Sequence, residues 1–459
     1  MSTNDDMRTY TDLAISFAKE KTDASIARGS LSSRSQIRFS QGAIDILKRW
    51  ETQTMELFVV VDGEKTGFSQ RAVSSEDDVR ALVEDTIAFT KRMPESQFYA
   101  GIESEVKKHR EVKGVFDSKI DDYHEIAPGM VNAAIDKATE EGAKRVAGAL
   151  MFGKEFQFLR TSSGFEGSSR STSFDLNVRA FQDELDHSGQ GITCGTIPSK
   201  AENEMIKAGR EAGELSKKAV GATQGEPGTY DLVMNPTVAA NVIAYLPGAA
   251  NPFLVLIGLS PLGDKIGQQL GPESVTATDN PHMEGGMASR SFDVEGAPTQ
   301  KLDIIENGVF KHFTHNTTTA RMYETETTGS SEFVGLGQGL RMLLPDSSNI
   351  VFNNGAYSRE ELLEGDKPTI YVTSNWYSRY QNYQSGDFST IPRDAMFLIK
   401  NGEMRPIKNI RISDNILRMF KSISGMGKDR KQIYWWEVPV PTFIPSVKVS
   451  DVRITAATQ

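Results

Sequence analysis

A single cysteine, Cys194, in 459 residues excludes an intrachain disulfide and fits a reducing compartment. Its TCGT context carries nothing to lower a thiol pKa, so it reads as a small buried cysteine rather than a nucleophile. The chain also lacks HExxH, HExxxH, CxxC, GxxxxGK[ST] and GxSxG. Those absences remove the short signatures of a metallopeptidase helix, a thiol-held metal, a phosphate loop and a hydrolase elbow. Basic charge is scarce as well: the net charge is −10 and the pI near 5.3. A generic nucleic-acid binder needs a basic face, and the Lys107–Arg110 cluster reads only as a solvated helix face. MSTNDDMRTY does not show the basic-then-apolar order of a signal peptide, and a cytoplasmic location is expected.

One stretch is exceptional for what it omits. From Leu232 to Gly263, 32 residues pass without a charge, histidine or cysteine. A membrane span needs about 20 apolar residues in a row. Here Pro236, Pro247, Pro252 and Pro261 divide the run, and its longest piece, Thr237–Leu246, has ten residues. As a helix that piece would be about 15 Å long, half a bilayer core. Asn235, Asn241 and Asn251 would need partners in lipid. The run is therefore expected to be buried core.

Periodicity organises the rest. Met7, Tyr10, Leu13, Ala14, Phe17 and Ala18 recur at helical spacing over 6–20. Strands are expected at Ser25–Phe39 and Glu56–Val61, the second entering an Asp62-Gly63 hairpin turn. Ser75 is placed to cap a helix with Val79, Leu82, Val83 and Ile87 on one face. Helical spacing covers Gly129–Leu150, strands alternate through Glu155–Phe181, and a helix follows at 202–220. Gly221–Gly228 breaks that helix and marks a boundary. Beyond it, Asn307-Gly308 and Asn401-Gly402 each separate strand-like runs, and QIYWWEV and SVKVSDVRI alternate. The expected class is α+β, with α/β domains at 1–115 and 116–228 and a β-rich domain at 229–459.

Candidate chemistry is thin. Gly335, Gly337 and Gly339 alternate, as in a strand closely approached by another backbone. His312 and His315 lie three apart after a hairpin; on a strand they would face opposite ways and share no metal. His282, near Glu284, and His187, near Asp183, Glu184 and Asp186, are weak ligand candidates beside a surface or capping role. The unusual segment is Asn375–Phe388, NWYSRYQNYQSGDF. Its aromatics and interleaved amides could line a groove for an extended peptide or pack across a sheet, and both uses are open.

Several blocks together resemble one family. They are Asp279–Arg321, containing FDVEGAPT and IENG, then Thr327–Gly329, Ser385–Ser389 (SGDFS), Ile399–Glu403 and Ile410–Met419. Their order and spacing, with the N-terminal helix–strand–hairpin–helix pattern, resemble the TldD/PmbA family over essentially the whole chain. In that family TldD and TldE (PmbA) subunits act together in cytoplasmic proteolysis and peptide maturation.

The resemblance implies more than the residues alone. The TldD branch looks like a zinc metallopeptidase, with HExxxH on a helix early in the C-terminal domain and a cysteine near the C-terminus. Two imidazoles and a thiolate would hold Zn²⁺ with a position left for water. The matching stretch here, Thr237–Leu246, offers Asn241 and Tyr245, and 427–445 holds no cysteine. That places the chain in the TldE/PmbA branch, with no cofactor of its own and zinc expected in a TldD-like partner. A heterodimer with that partner, or a homodimer, would enclose unfolded peptide. Asn375, Arg379, Asn382 and Asp387 are the expected substrate or interface contacts. Two alternatives are an autonomous peptidase using His282, His312 or His315, and an interaction protein modulating DNA gyrase or a toxin–antitoxin pair.

Overall fold

The computed structural model describes residues 3–337 and 340–457. Helix α1 (Asn4–Ala18) opens with Thr3 in a capping box with Asp6 and buries Met7, Ala14 and Ala18. Six antiparallel strands follow as one sheet: β1 (Ala24–Ser40), β2 (Ala43–Val61), β3 (Lys65–Arg71), β4 (Arg145–Thr161), β5 (Glu166–Phe181) and β6 (Ser188–Gly195), in the order β3-β2-β1-β4-β5-β6. Asp62 and Gly63 take positive φ, 54° and 79°, at the β2–β3 turn. The sheet runs through both segments, 1–115 and 116–228, as one hydrogen-bonded surface.

Helices cover one face. α1 and α2 (Glu76–Thr90, capped by Ser75) pack over Leu57 and Val59 through Val79, Leu82 and Val83. α3 (Tyr123–Glu140) and α4 (Glu202–Lys218) cover Leu150, Leu176 and Val178. α4 lies so close to β6 that a Cβ on Gly191 would sit 1.9 Å from the Ala208 carbonyl oxygen. On the opposite face Ile26, Phe58, Val60 and Leu159 meet Val294, Phe333 and Leu343 of the C-terminal half.

After α4 the chain passes through β7 (Thr223–Gln224) to β8 (Gly228–Met234), a central strand of a ten-stranded sheet. A six-stranded sheet lies in the same half, and the two share one core. α5 (Pro236–Val242) sits in it, with Asn235 as N-cap accepting from the Val238 amide at 3.0 Å. Further helical turns at Tyr245–Gly248 and Pro252–Leu256 complete the uncharged run, whose prolines chop it as expected. No helix among the described residues is long and apolar enough to cross a membrane. These sheets with their flanking helices make the molecule α+β.

Four local expectations differ. The helix placed at Gly129–Leu150 ends at Glu140; Gly142 turns the chain at φ 108°, and from Arg145 it is β4, held between β1 and β5. Sheet pairing there overrides a helical spacing of small residues. Lys107–Arg110 is solvated but lies in irregular chain, not on a helix. Gly335 pairs with Arg341 of the neighbouring strand, but neither it nor Gly337 has anything crowding its Cβ side, so close backbone packing does not require glycine there; Gly337 serves a turn at φ 90°. Gly339 lies outside the described residues. His312 and His315 follow a strand of two residues, Val309–Phe310, and lie in irregular chain before the helix Thr317–Met322.

Candidate functional site

The C-terminal half brings α5 against the hairpin formed by Asn375–Asn382 and Asp387–Pro392. Most of α5 is buried, and Asn241 is its half-exposed position. The Asn241 Oδ1 accepts from Asn375 Nδ2 at 2.6 Å and lies 2.5 Å from Ser378 Oγ. Asn241 Nδ2 donates to the Glu437 carbonyl at 2.7 Å. The Glu437 carboxylate in turn accepts the Tyr377 amide at 2.7 Å. Asn375 is wholly buried and also donates to Thr390 Oγ1 at 2.9 Å.

Around this polar knot lies an aromatic surface. Tyr245 stacks on Tyr380 with centroids 4.0 Å apart, and Tyr380 continues to Tyr383 at 5.2 Å and Phe388 at 5.6 Å. Burial pushes the phenols of Tyr245 and Tyr380 above their ordinary range, which keeps them neutral. Trp376, Tyr377 and Trp436 meet edge to face, with Trp436 59% and Tyr377 43% exposed. Guanidinium groups lie over these rings: Arg179 at 4.8 Å and Arg393 at 5.8 Å from Trp376, and Arg379 at 5.8 Å from Tyr377. Arg179 comes from β5, where it pairs with the buried Asp394 at 2.6 Å. Trp376 Nε1, Trp435 Nε1 and Asn375 Oδ1 are buried without a protein partner.

The four expected contact residues separate into roles. Asn375 belongs to the knot. Arg379 is exposed on the aromatic surface. Asn382 shapes the turn, its Oδ1 accepting the amides of Gln384 and Ser385 at 3.0 and 3.1 Å. Asp387 accepts from Ser385 Oγ at 2.6 Å and Asn415 Nδ2 at 2.8 Å, which holds its carboxyl below the usual range. The hairpin both packs and presents a surface: Tyr380 and Phe388 go inward, Tyr377, Arg379 and Tyr383 outward. Ser378, Thr390, Arg179, Arg393 and Glu437 were not singled out from the sequence. Glu437 is 196 residues from Asn241, a pairing that no local pattern announces.

The histidines do not assemble. His282 Nε2 lies 3.1 Å from Thr299 Oγ1, and burial lowers its pKa. His315 is buried with Nδ1 3.2 Å from Thr319 Oγ1, and burial lowers it to about 4. His312 is exposed, and His187 stands 3.8 Å from Glu184. No group of three His, Cys, Asp or Glu side chains suited to a metal occurs among the described residues. The donor set at α5, an amide and a stacked phenol already committed to protein partners, does not fit a catalytic zinc. The arrangement suits recognition by stacking, amide hydrogen bonds and positive charge.

Comparison with known proteins agrees with this layout. The family model described as PmbA/TldA metallopeptidase C-terminal domain matches residues 227–456, and the model of domain 1 matches 27–88. A metalloprotease of Methanocaldococcus jannaschii is 29% identical over 285 residues, 61% of this chain and 61% of that relative, so the match spans about three-fifths of its length. In fold the chain is similar to TldE of Thermococcus kodakarensis, with a TM-score of 0.82 at 18% identity over 97% of this chain and 100% of that one. A proposed modulator of DNA gyrase from Thermotoga maritima gives 0.80 at 24% over 97% and 99%. With its C-terminal half matched throughout and the same fold recurring along nearly its whole length, this chain belongs to the TldD/PmbA family.

Proposed function

We propose that this chain is a non-metal-binding subunit of the TldE/PmbA type, acting in the cytoplasm beside a zinc-bearing TldD-like chain in proteolysis or peptide maturation. One observation carries the reading. α5 presents Asn241, with Tyr245 just after it, and both are tied into hydrogen bonds and stacking where the TldD branch would present its metal-binding helix. The hairpin surface of Tyr377, Arg379, Tyr383 and Trp436 then serves to hold extended peptide rather than to cleave it. Stacking and backbone hydrogen bonding select for an unfolded segment with little regard to its sequence. Hydrolysis would rest on the partner's metal and on water activated there.

Co-expression with the TldD-like protein of the same genome tests the reading. The expected result is a co-purifying complex that cleaves unfolded peptide, with no cleavage by this chain alone. Failure to co-purify together with no gain in cleavage would remove it.

A further inference from the structure

Tyr377 holds a backbone conformation that bulky residues avoid. Its φ is 58°, in the left-handed region, where the pairing of Asn375–Asn382 with Asp387–Pro392 shifts register between Trp376 and Arg379. Strain of this kind persists only where the surroundings hold it, and here the Glu437 carboxylate does so by accepting the Tyr377 amide at 2.7 Å. Bulges re-aim side chains next to binding sites. The residues turned to solvent at this one are Tyr377 and Arg379.

The charge gathered there runs against that of the chain, which is −10 overall. Trp376 and Tyr377 have centroids 6.3 Å apart, and three guanidinium groups surround the two rings. Arg179 and Arg393 lie 4.8 and 5.8 Å from Trp376, while Arg379 and Arg393 lie 5.8 and 6.0 Å from Tyr377. Asp394 offsets the charge of Arg179. Arg379 and Arg393 have no such counterpart. Arg379 donates to the Ser378 carbonyl at 3.0 Å, and neither forms an ion pair among the described residues. The Glu437 carboxylate is turned instead to the Tyr377 amide and, at 3.4 Å, to Asn241 Nδ2. Stacking on a ring fixes a guanidinium while leaving its in-plane N–H donors free, and those donors match a carboxylate.

Stacking by itself is indifferent to the charge of a peptide; two unpaired guanidiniums are not. We propose that Arg379 and Arg393 select an acidic side chain, aspartate or glutamate, within the extended peptide that lies on the hairpin. The inference rests on the peptide-holding reading above and adds a substrate preference to it. The acid belongs inside the peptide rather than at its end, because exposed aromatic surface continues on both sides of Arg379. Tyr377 and Trp436 lie one way and Tyr383 the other, so the peptide runs past the charges in both directions.

Fluorescence anisotropy on the purified full-length chain tests it. The labelled peptides are unstructured, carry an amidated C-terminus and differ at one central residue, which is glutamate, glutamine or lysine. The glutamate peptide is expected to bind about tenfold more tightly than the glutamine one, an advantage that shrinks at high salt. Arg393→Gln should lose most of that advantage. Arg379→Glu combined with Arg393→Glu should reverse the order in favour of the lysine peptide, which a merely disturbed surface would not do. Equal affinity for the three peptides overturns the inference and leaves the peptide-holding reading standing. So does a preference that survives these substitutions, or one that a free C-terminal carboxylate on the glutamine peptide reproduces in full. A chain that binds none of them up to about 1 mM removes the peptide-holding surface and this inference together.

Discussion

At the residue scale, Asp175 shows how the fold sets chemistry that composition cannot. It lies on β5, and burial pushes its carboxyl up to about 6 against the opposing pull of Arg34. An unfolded aspartate titrates near about 3.9. Between these values the folded chain holds a proton that the unfolded chain has released. The stability from that proton is fully present below about pH 4 and is lost as pH rises through about 6. Asp175→Asn is therefore expected to raise Tm relative to the parent above about pH 6 and to match it below about pH 4. Thermal melts between pH 4 and 8 check this, and a larger gain at the acid end would contradict it. The same carboxylate stands near Cys194, and with burial it pushes the thiol up. An inert Cys194 was the reading from its TCGT context, and its environment gives the physical reason.

At the scale of elements, the hairpin was half legible. Its aromatics and amides stood out in the chain, but the pairing of Asn375–Asn382 with Asp387–Pro392 about the Asn382–Gly386 turn came from the structure. Its anchor was not legible. Asn241 ties α5 to Asn375, Ser378 and Glu437, residues that only the packed core brings within hydrogen-bond reach. Asn241→Ala would leave the buried Asn375 amide and the Glu437 carbonyl without this partner. The expected cost is about 1–3 kcal/mol, read as a lower urea midpoint with an unchanged m-value. A variant as stable as the parent would show that water or neighbouring hydroxyls replace the amide. Helix ends show the same division. Ser75 and its α2 were plain from a cap followed by an apolar stripe, whereas the end of α3 was misplaced by ten residues, from Leu150 to Glu140. Small residues at helical spacing suit a strand equally well when two neighbouring strands are waiting to pair.

At the scale of the whole molecule, the FDVEG block is a clasp between halves. Asp293 accepts the amides of Glu295 and Ala297 through Oδ1 and that of Ser331 through Oδ2. Glu295 accepts the Glu103 amide at 2.9 Å. Burial raises the pKa of both carboxyls, and each adds to the other's cost of ionising. Nearby, Arg321 donates to the carbonyls of Ala100 at 2.6 Å and Ile102 at 3.4 Å, and Thr318 donates to Gly101. These bonds strap the irregular chain between α2 and α3 onto the C-terminal half. Arg321→Ala is expected to speed proteolytic nicking between residues 96 and 110 several-fold while leaving the cooperative melt nearly unchanged. Equal nicking rates in parent and variant would show that Glu295 and Thr318 suffice.

By itself the sequence determined the class of elements, most of their places and the family. Hydrophobic period, glycine turns and helix caps act over a few residues and are written in order along the chain. It also determined that most of the run 232–263 would be core, since its prolines forbid a span and its lack of charge disfavours solvent, but Leu256, Ile257 and Leu259 near its end are exposed at 49%, 40% and 37%. Only the tertiary structure decided that β1 to β6 form one sheet. It alone decided that α5 meets the hairpin through Asn241, and that Arg179 of β5 lies over Trp376. Those outcomes depend on pairings between residues up to about two hundred positions apart, whose loop-closure cost is recovered only when the whole core assembles.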